Sequence, residues 1–296
     1  MAGPFVVFVG IGNMGWPMAA RIACAGFGLG VADASSERAE RFAAEFHAAC
    51  APLRELAARC DVLVTMLPTR KIVEQVLFGQ SGASDNLRPG TLVLEMSSGV
   101  PSKTQAIAER LAATDIHLVD APVSGGVKRA ETGELAIMVG GKAADVERAR
   151  PLLSCMGTSI LATGDVGSAH AMKALNNLVS AAGLVITTEA LLIGKKFGLD
   201  PSTMVDVLNA STGMNNSTQK KLKQFVLSRA FDSGFGLDLM LKDLTIALDL
   251  AKDTQTAVPL ASACRELWAS AANALGPGRD HTEVARLTET LGGETL

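Results

Sequence analysis

Near its start the chain runs Phe5-Val-Val-Phe-Val9, an uninterrupted apolar stretch, straight into Gly10, Ile11, Gly12, Asn13, Met14 and Gly15. A helical pattern follows to about residue 25, and a second apolar stretch over 28–32 ends in Asp33. An apolar run without alternation suits a strand buried on both faces. Strand, glycine turn, helix, strand and acidic residue, in that order, restrict this region to a βαβ unit of the dinucleotide-binding kind. Gly10 permits the tight turn, Gly12 lets a pyrophosphate approach the backbone, and Gly15 lets the helix close on the strand. The helix N-terminus adds amide donors and the positive end of its dipole. Asp33 is placed to accept from the ribose hydroxyls and would repel a 2′-phosphate, while Ala34 brings no guanidinium. NAD is therefore the expected cofactor. NADP is disfavoured, although Ser35, Ser36 and Arg38 leave room for it.

The alternation continues with strands expected over 61–66, 91–95 and 116–119 and helices from 70 and over 102–113. A short helix, a strand over 135–139, a helix over 143–153 and a strand over 159–162 complete it. Repeated βα units imply a parallel sheet covered by helices on both faces. Ligands in such sheets lie beyond the carboxyl ends of the strands, which sets Leu67, Pro68 and Thr69, and Met96, Ser97 and Ser98, along the cofactor groove. After Gly164 no strand pattern recurs. Helical periodicity covers 175–197, 201–210, 217–227, 237–251, 258–272 and 282–291, with Gly, Pro, Asp and Asn between. The expected architecture is a Rossmann-type doubly wound α/β domain over 1–164, followed by an all-α domain over 165–296 for substrate binding and oligomerisation. The second includes a long inter-domain helix.

A length of 296 residues fits two domains, and a net charge of -3 offers no basic surplus for nucleic acid. Five scattered cysteines without a CxxC spacing read as reduced, mostly buried thiols of a cytoplasmic protein, and neither they nor the four histidines have metal-ligand spacing. The apolar N-terminus lacks a basic flank and is broken by glycines, unlike a secretory signal. The charge-free piece over 174–188 is shorter than the ~18–20 residues of a membrane span, so no membrane segment is expected.

Three further places carry chemistry. Lys173-Ala-Leu-Asn-Asn177 lies in the long apolar helix, and Lys173 and Asn177, four residues apart, share a face. A helix apolar all round is buried, and lysine is rarely taken inside without a reason. An ammonium and a carboxamide there either grip a ligand or belong to a lysine that snorkels out beside a capped Asn pair. Asp120-Ala-Pro-Val-Ser124-Gly125-Gly126 ends a strand with a hydroxyl beside consecutive backbone N–H groups, a nest for a carboxylate or an ordinary flexible loop. Asp238 and Lys242 stand one turn apart with Asp243 adjacent, as an intrahelical ion pair or as part of a cleft.

Together these motifs resemble the β-hydroxyacid dehydrogenase family over essentially the whole chain. The resemblance rests on Phe8-Val-Gly-Ile-Gly-Asn-Met-Gly15, on Asp120-Ala-Pro-Val-Ser-Gly-Gly126 with Gly133 and Met138-Val-Gly-Gly141, on Lys173-Ala-Leu-Asn-Asn177, and on Leu239-Met-Leu-Lys-Asp-Leu244. It implies that Lys173 is the catalytic lysine, that Asn177 orients substrate and that Ser124, Gly125 and Gly126 cradle its carboxylate. It also implies that Leu67, Pro68, Ser98 and Lys242 reach the cofactor. The reaction implied is NAD-dependent reversible oxidation of a short 3-hydroxy acid, with Lys173 as acid and base. A free lysine pKa of ~10.4 requires a site that lowers it, by burial and by a neighbouring cation such as Lys242. Departures from the family pattern are Ala169, His170 and Met172 ahead of the lysine, and Asn215-Asn216-Ser217 where relatives tend to carry an aromatic residue. His170 is expected to pack behind the lysine, and the asparagines to make the pocket more polar. Two rivals remain open: imine reduction by a related fold, whose enzymes generally lack the lysine, and a non-catalytic NAD-binding scaffold. The expected partners are a small carboxylate substrate and further copies of the chain, as a homodimer or homotetramer.

Overall fold

A computed structural model of the chain describes residues 3–80 and 82–296. The chain divides into two compact units, Met1–Lys173 and Ala174–Leu296. The first unit contains one nine-stranded sheet. Its strands are β1 (Phe5–Val9), β2 (Gly28–Ala32), β3 (Ala49–Cys50), β4 (Val62–Thr65), β5 (Leu92–Glu95), β6 (His117–Asp120), β7 (Val123–Ser124), β8 (Leu135–Gly140) and β9 (Gly157–Gly164). Its helices are α1 (Gly15–Cys24), α2 (Ser36–Phe46), α3 (Leu53–Ala57), α4 (Arg70–Phe78), α5 (Pro101–Ala112), α6 (Gly126–Thr132) and α7 (Ala143–Met156).

The alternation of β1 shows why both faces are covered. Val6 and Phe8 join a core with Met18 and Ile22 of α1, Phe42 of α2 and Leu153 of α7. Val7 and Val9 point the other way, into a core with Leu56, Val73, Leu77 and Leu111. Strand order is β3-β2-β1-β4-β5-β6-β8-β7, with β9 beside β8. The pairings from β3 through β6 are parallel. The order reverses between β1 and β4, and the crevice at that reversal is where such sheets take ligands.

Two expectations need correction here. The sheet is not parallel throughout, because β8 runs antiparallel to both β6 and β7. A parallel return needs a crossover of a dozen or more residues, usually a full helix. Between β7 and β8 only residues 125–134 intervene, filled by the seven-residue α6, so the chain doubles back there. The cysteines are all free, but only Cys60 and Cys264 are buried; Cys24 ends α1, Cys50 lies on the edge strand β3, and both are exposed. Burial pushes the Cys60 thiol up to about 12, which makes it inert.

The helix α8 (Ser168–Phe197) begins in the first unit and continues in the second. It is followed by α9 (Pro201–Asn209), α10 (Asn216–Lys220), a π-helical turn over Leu222–Leu227, α11 (Leu237–Asp253), α12 (Pro259–Leu275) and α13 (Val284–Gly292). The helix expected over 217–227 is thus interrupted at Lys221, whose backbone (φ -128°, ψ -47°) leaves helical geometry. Leu184, Val185 and Leu191 of α8 pack with Met240 and Leu244 of α11, Trp268 of α12 and Val284 of α13. Among the described residues α8 is the one helix long and apolar enough to cross a membrane by length and composition. Half of its most apolar window is buried inside the protein, as in the core helix of a globular domain.

One polar cluster pins the second unit together. His281, stacked on Trp268 at 6.4 Å, meets Ser233 Oγ (2.9 Å) and the Phe235 carbonyl (3.2 Å) through Nδ1. Burial, helped by the Lys221 ammonium, pushes the imidazole down to about 4. Between pH 6.5 and 4 the unfolded chain therefore binds a proton that the folded chain refuses, and stability falls as pH falls. Full protonation in the unfolded state alone corresponds to roughly 3 kcal/mol. We predict a melting temperature that drops steadily from pH 6.5 to 4, with a shallower slope in His281→Gln, read by calorimetry.

Candidate active site

The residues expected to hold the cofactor gather at the carboxyl ends of β1, β2, β4 and β5. Gly10 turns with φ +92°, and a Cβ there would strike the Met66 carbonyl. A Cβ on Gly12 would meet nothing within 4 Å, so the backbone faces open space as a pyrophosphate requires. Ile11 is fully buried and acts through its backbone: its N–H donates to Asp33 Oδ2 (2.9 Å). Asp33 Oδ1 accepts from Ser35 N (2.9 Å) and, at 3.4 Å, from Arg38 Nη1. One carboxylate thus ties the glycine turn to the next loop. Asn13 is exposed and Met14 half-buried at the start of α1. Leu67 N donates to Ser97 Oγ (2.9 Å), Pro68 is exposed beside it, and Ser98 follows half-buried after β5.

Ser124 ends β7, and Gly125 (φ 138°) and Gly126 (φ 75°) lead into α6. Both glycines are exposed, and a Cβ on Gly126 would meet nothing within 4 Å. Both glycines take positive φ, and the backbone is open at Gly126 but backed by Arg129 and Leu135 at Gly125.

Behind Lys173 lies a buried network of which sequence reasoning named only His170. Asp120, the last residue of β6, accepts from Gly167 N (2.7 Å) through Oδ1 and from His170 N (2.9 Å) through Oδ2. It caps the N-terminus of α8 from a different element and opposes the positive end of the dipole with a full charge. The His170 ring lies between Thr104 Oγ1 (Nδ1, 2.8 Å) and the Ser97 carbonyl (Nε2, 2.8 Å). Both ring nitrogens are engaged by the fold. Ser97 N donates to Glu95 Oε1 (2.9 Å), which also receives Thr65 Oγ1 (3.2 Å). Strand ends and helix start are thereby joined one turn before Lys173, which is nine-tenths buried. The sequence clue was Asp120 itself, which opens the Asp-Ala-Pro-Val-Ser-Gly-Gly motif.

In the second unit, buried Asn177 donates through Nδ2 to Asp243 Oδ2 (2.6 Å) and accepts at Oδ1 from Asn176 (3.2 Å). Lys242 lies 3.7 Å from Asp243 Oδ1. Its ion partner is this buried neighbour, while Asp238 is exposed, so the arrangement is not a solvated i,i+4 pair. Asn215 departs from the expected role too. Its Oδ1 accepts from Ser217 N (2.8 Å) and Thr218 N (3.2 Å), and its Nδ2 donates to Thr187 Oγ1 (3.0 Å). A capping box consumes the polarity that was expected to line a pocket.

Residues 5–164 match the family model described as the NAD binding domain of 6-phosphogluconate dehydrogenase, and residues 167–288 match that of NAD-binding of NADP-dependent 3-hydroxyisobutyrate dehydrogenase. The 2-(hydroxymethyl)glutarate dehydrogenase of Eubacterium barkeri is 36% identical over 98% of this chain and 96% of its own length. The chain belongs to the β-hydroxyacid dehydrogenase family. The NAD-dependent L-serine dehydrogenase of Pseudomonas aeruginosa, another relative, is 31% identical over 98% of this chain and 99% of its own. A solved structure of Mycobacterium tuberculosis 3-hydroxyisobutyrate dehydrogenase with L-serine superposes with a TM-score of 0.88 at 30% identity, covering 98% and 99% of the two chains. An imine reductase of Myxococcus stipitatus, 20% identical with a TM-score of 0.66, shares the fold alone. The relatives are oxidoreductases of hydroxy acids, and the first unit is a Rossmann domain for NAD. Its open glycine turn and the Asp33 carboxylate fit that cofactor.

Asp120→Ala leaves two N–H groups at the start of α8 without their acceptor. We predict a loss of about 1–3 kcal/mol in stability, read by denaturant titration, together with a fall in turnover that Asp33→Ala produces instead through weaker NAD binding.

Proposed function

We propose that the chain catalyses reversible oxidation of a short, 3-hydroxyisobutyrate-like 3-hydroxy carboxylic acid to its semialdehyde or ketone. The observation that carries this reading is the seating of Lys173. It is a lysine held nine-tenths out of water on a helix whose first turn is anchored by Asp120 and His170, with Asn177 one turn further on. Three relatives support the substrate class through their names. 2-(Hydroxymethyl)glutarate, 3-hydroxyisobutyrate and L-serine each carry a hydroxymethyl group beside a carboxylate-bearing carbon.

In this reading the N–H groups of Gly125 and Gly126 and the Ser124 hydroxyl hold the substrate carboxylate. Asn177, its amide steadied by Asp243, orients the hydroxyl. Lys173 in its amine form takes the hydroxyl proton during oxidation. In reduction its ammonium polarises the carbonyl and returns that proton. Bound NAD supplies the hydride acceptor and, when reduced, the donor. Gly10 to Gly15, Asp33, Leu67, Pro68 and Ser98 would hold the cofactor, with Lys242 as a further cofactor-binding residue. The five free thiols suit the reducing cytoplasm.

We also propose that α8 supplies a subunit interface. Val179 (73% exposed), Ile186 (61%), Ile193 (73%) and Phe197 (83%) recur at spacings of seven, seven and four residues, a seam that a second copy would cover. Ile186→Glu is expected to shift the mass in light scattering towards the monomer. A wild type that is monomeric at micromolar concentration removes the interface.

Lys173→Ala should lower turnover by ~10²–10⁴, the usual worth of a general acid–base group, while NAD affinity by fluorescence titration stays near that of the wild type. Near-normal turnover of Lys173→Ala on a 3-hydroxy acid would rule out this role for the lysine.

A further inference from the structure

On α8, Asn177 and Ser180 are three residues apart and share a face. Ser180 Oγ accepts from the Lys221 ammonium at 2.8 Å. Lys221 is the residue at which the helix after Asn215 breaks, and the π-helical turn Leu222–Leu227 follows directly. Such turns redirect side chains and are frequent at functional sites. The neighbouring lysine behaves differently: Lys223 pairs with Asp206 (2.6 Å) at the exposed surface. Lys221 alone of these two is turned against α8.

The surroundings keep that charge in place. His281 feels the Lys221 ammonium and is held neutral by burial, so it adds no second positive charge beside it above pH 5. Asn177 has its amide fixed by Asp243, and the face of α8 therefore presents a steadied carboxamide and, one turn on, a cation with a hydroxyl. Ser180 Oγ accepts from the lysine and retains its own hydrogen to donate. Ammonium and hydroxyl together match a carboxylate oxygen pair. Three residues of helix rise about 4.5 Å, and C–C bonds are about 1.5 Å. That spacing suits a carboxylate some three or four bonds from the carbinol carbon.

We propose that Lys221, with Ser180, selects 3-hydroxy acids that carry a second carboxylate, and that this chain acts on a hydroxy dicarboxylate in preference to its monocarboxylate counterpart. The inference rests on the reaction proposed above, with Asn177 orienting the hydroxyl, and deepens it by naming what the far end of the substrate carries. Lys221 is a binding residue here and touches no reacting atom.

The test pairs 2-(hydroxymethyl)glutarate with 3-hydroxyisobutyrate in steady-state assays of the full-length enzyme. The wild type is expected to favour the dicarboxylate by about tenfold or more in kcat/KM, since a charge-assisted contact commonly corresponds to at least that factor. Lys221→Met should erase most of the preference through KM, with Lys221→Arg restoring a large part of it. A lysine that merely ties the π-helical turn to α8 would, on substitution, lower the melting temperature and leave the ratio of the two KM values unmoved. Calorimetry supplies a readout without turnover: glutarate should bind the NAD-loaded enzyme about tenfold more tightly than butyrate, and Lys221→Met should abolish the difference. Equal use of the two acids by the wild type, or an unchanged KM ratio in Lys221→Met, overturns the proposal. Lys221-dependent glutarate binding without turnover of any 3-hydroxy acid would retain the anion site and sink the reaction instead.

Discussion

The Asp120 carboxylate at the end of β6 is the interaction on which the candidate site depends. It accepts from two backbone amides at the start of α8, where the helix dipole is positive and no intrahelical acceptor exists. The charge is fully buried, so its attraction is little screened and its loss would leave donors unpaired inside the protein. Through this contact the parallel sheet sets both the start and the direction of the helix that carries Lys173. The His170 ring, held at both nitrogens by Thr104 and Ser97, adds a second point of attachment one turn in. Two attachments on one helical turn fix rotation about the helix axis as well as position.

The second unit uses the same device at lower cost. Asp243 fixes Asn177, Asn215 caps α10 and ties it to Thr187, and Lys221 joins the broken helix to Ser180. Each connects a side chain of α8 to another element by a hydrogen bond. Apolar contacts around Trp268, Leu184 and Met240 supply most of the burial. The polar links decide which face of α8 looks where, because apolar packing by itself tolerates small rotations that directed hydrogen bonds do not.

Most of the fold was legible because its signals are local. The βα alternation, the glycine turn and the change to helices after residue 164 are each written within a dozen residues. What escaped was non-local or ambiguous. Residues 36–57, unassigned from sequence, form α2, β3 and α3. The antiparallel turn-back at β8 follows from the shortness of a connection, which apolar periodicity does not register. Glu95 looked like an ordinary end of a strand, and Ser97 and Asp120 were read only with the loops that follow them. Asn215 looked like a pocket residue and is a helix cap. Lys221 carries no motif, and its direction follows from a π turn.

By itself the sequence determined which residue types stand at chemically capable places: a glycine turn followed by an acid, a Ser-Gly-Gly loop, and a lysine and an asparagine on one helical face. These depend on spacing along the chain, and spacing is what a sequence contains. Only the tertiary structure decided which carboxylate secures which amide, that Asp33 binds the backbone of the glycine turn, that Asp243 steadies Asn177, and that Lys221 turns towards Ser180. Those choices join residues from about 20 to more than 60 positions apart, and they are made by the closing of the hydrophobic cores, which brings distant polar groups together where water is wholly or partly excluded.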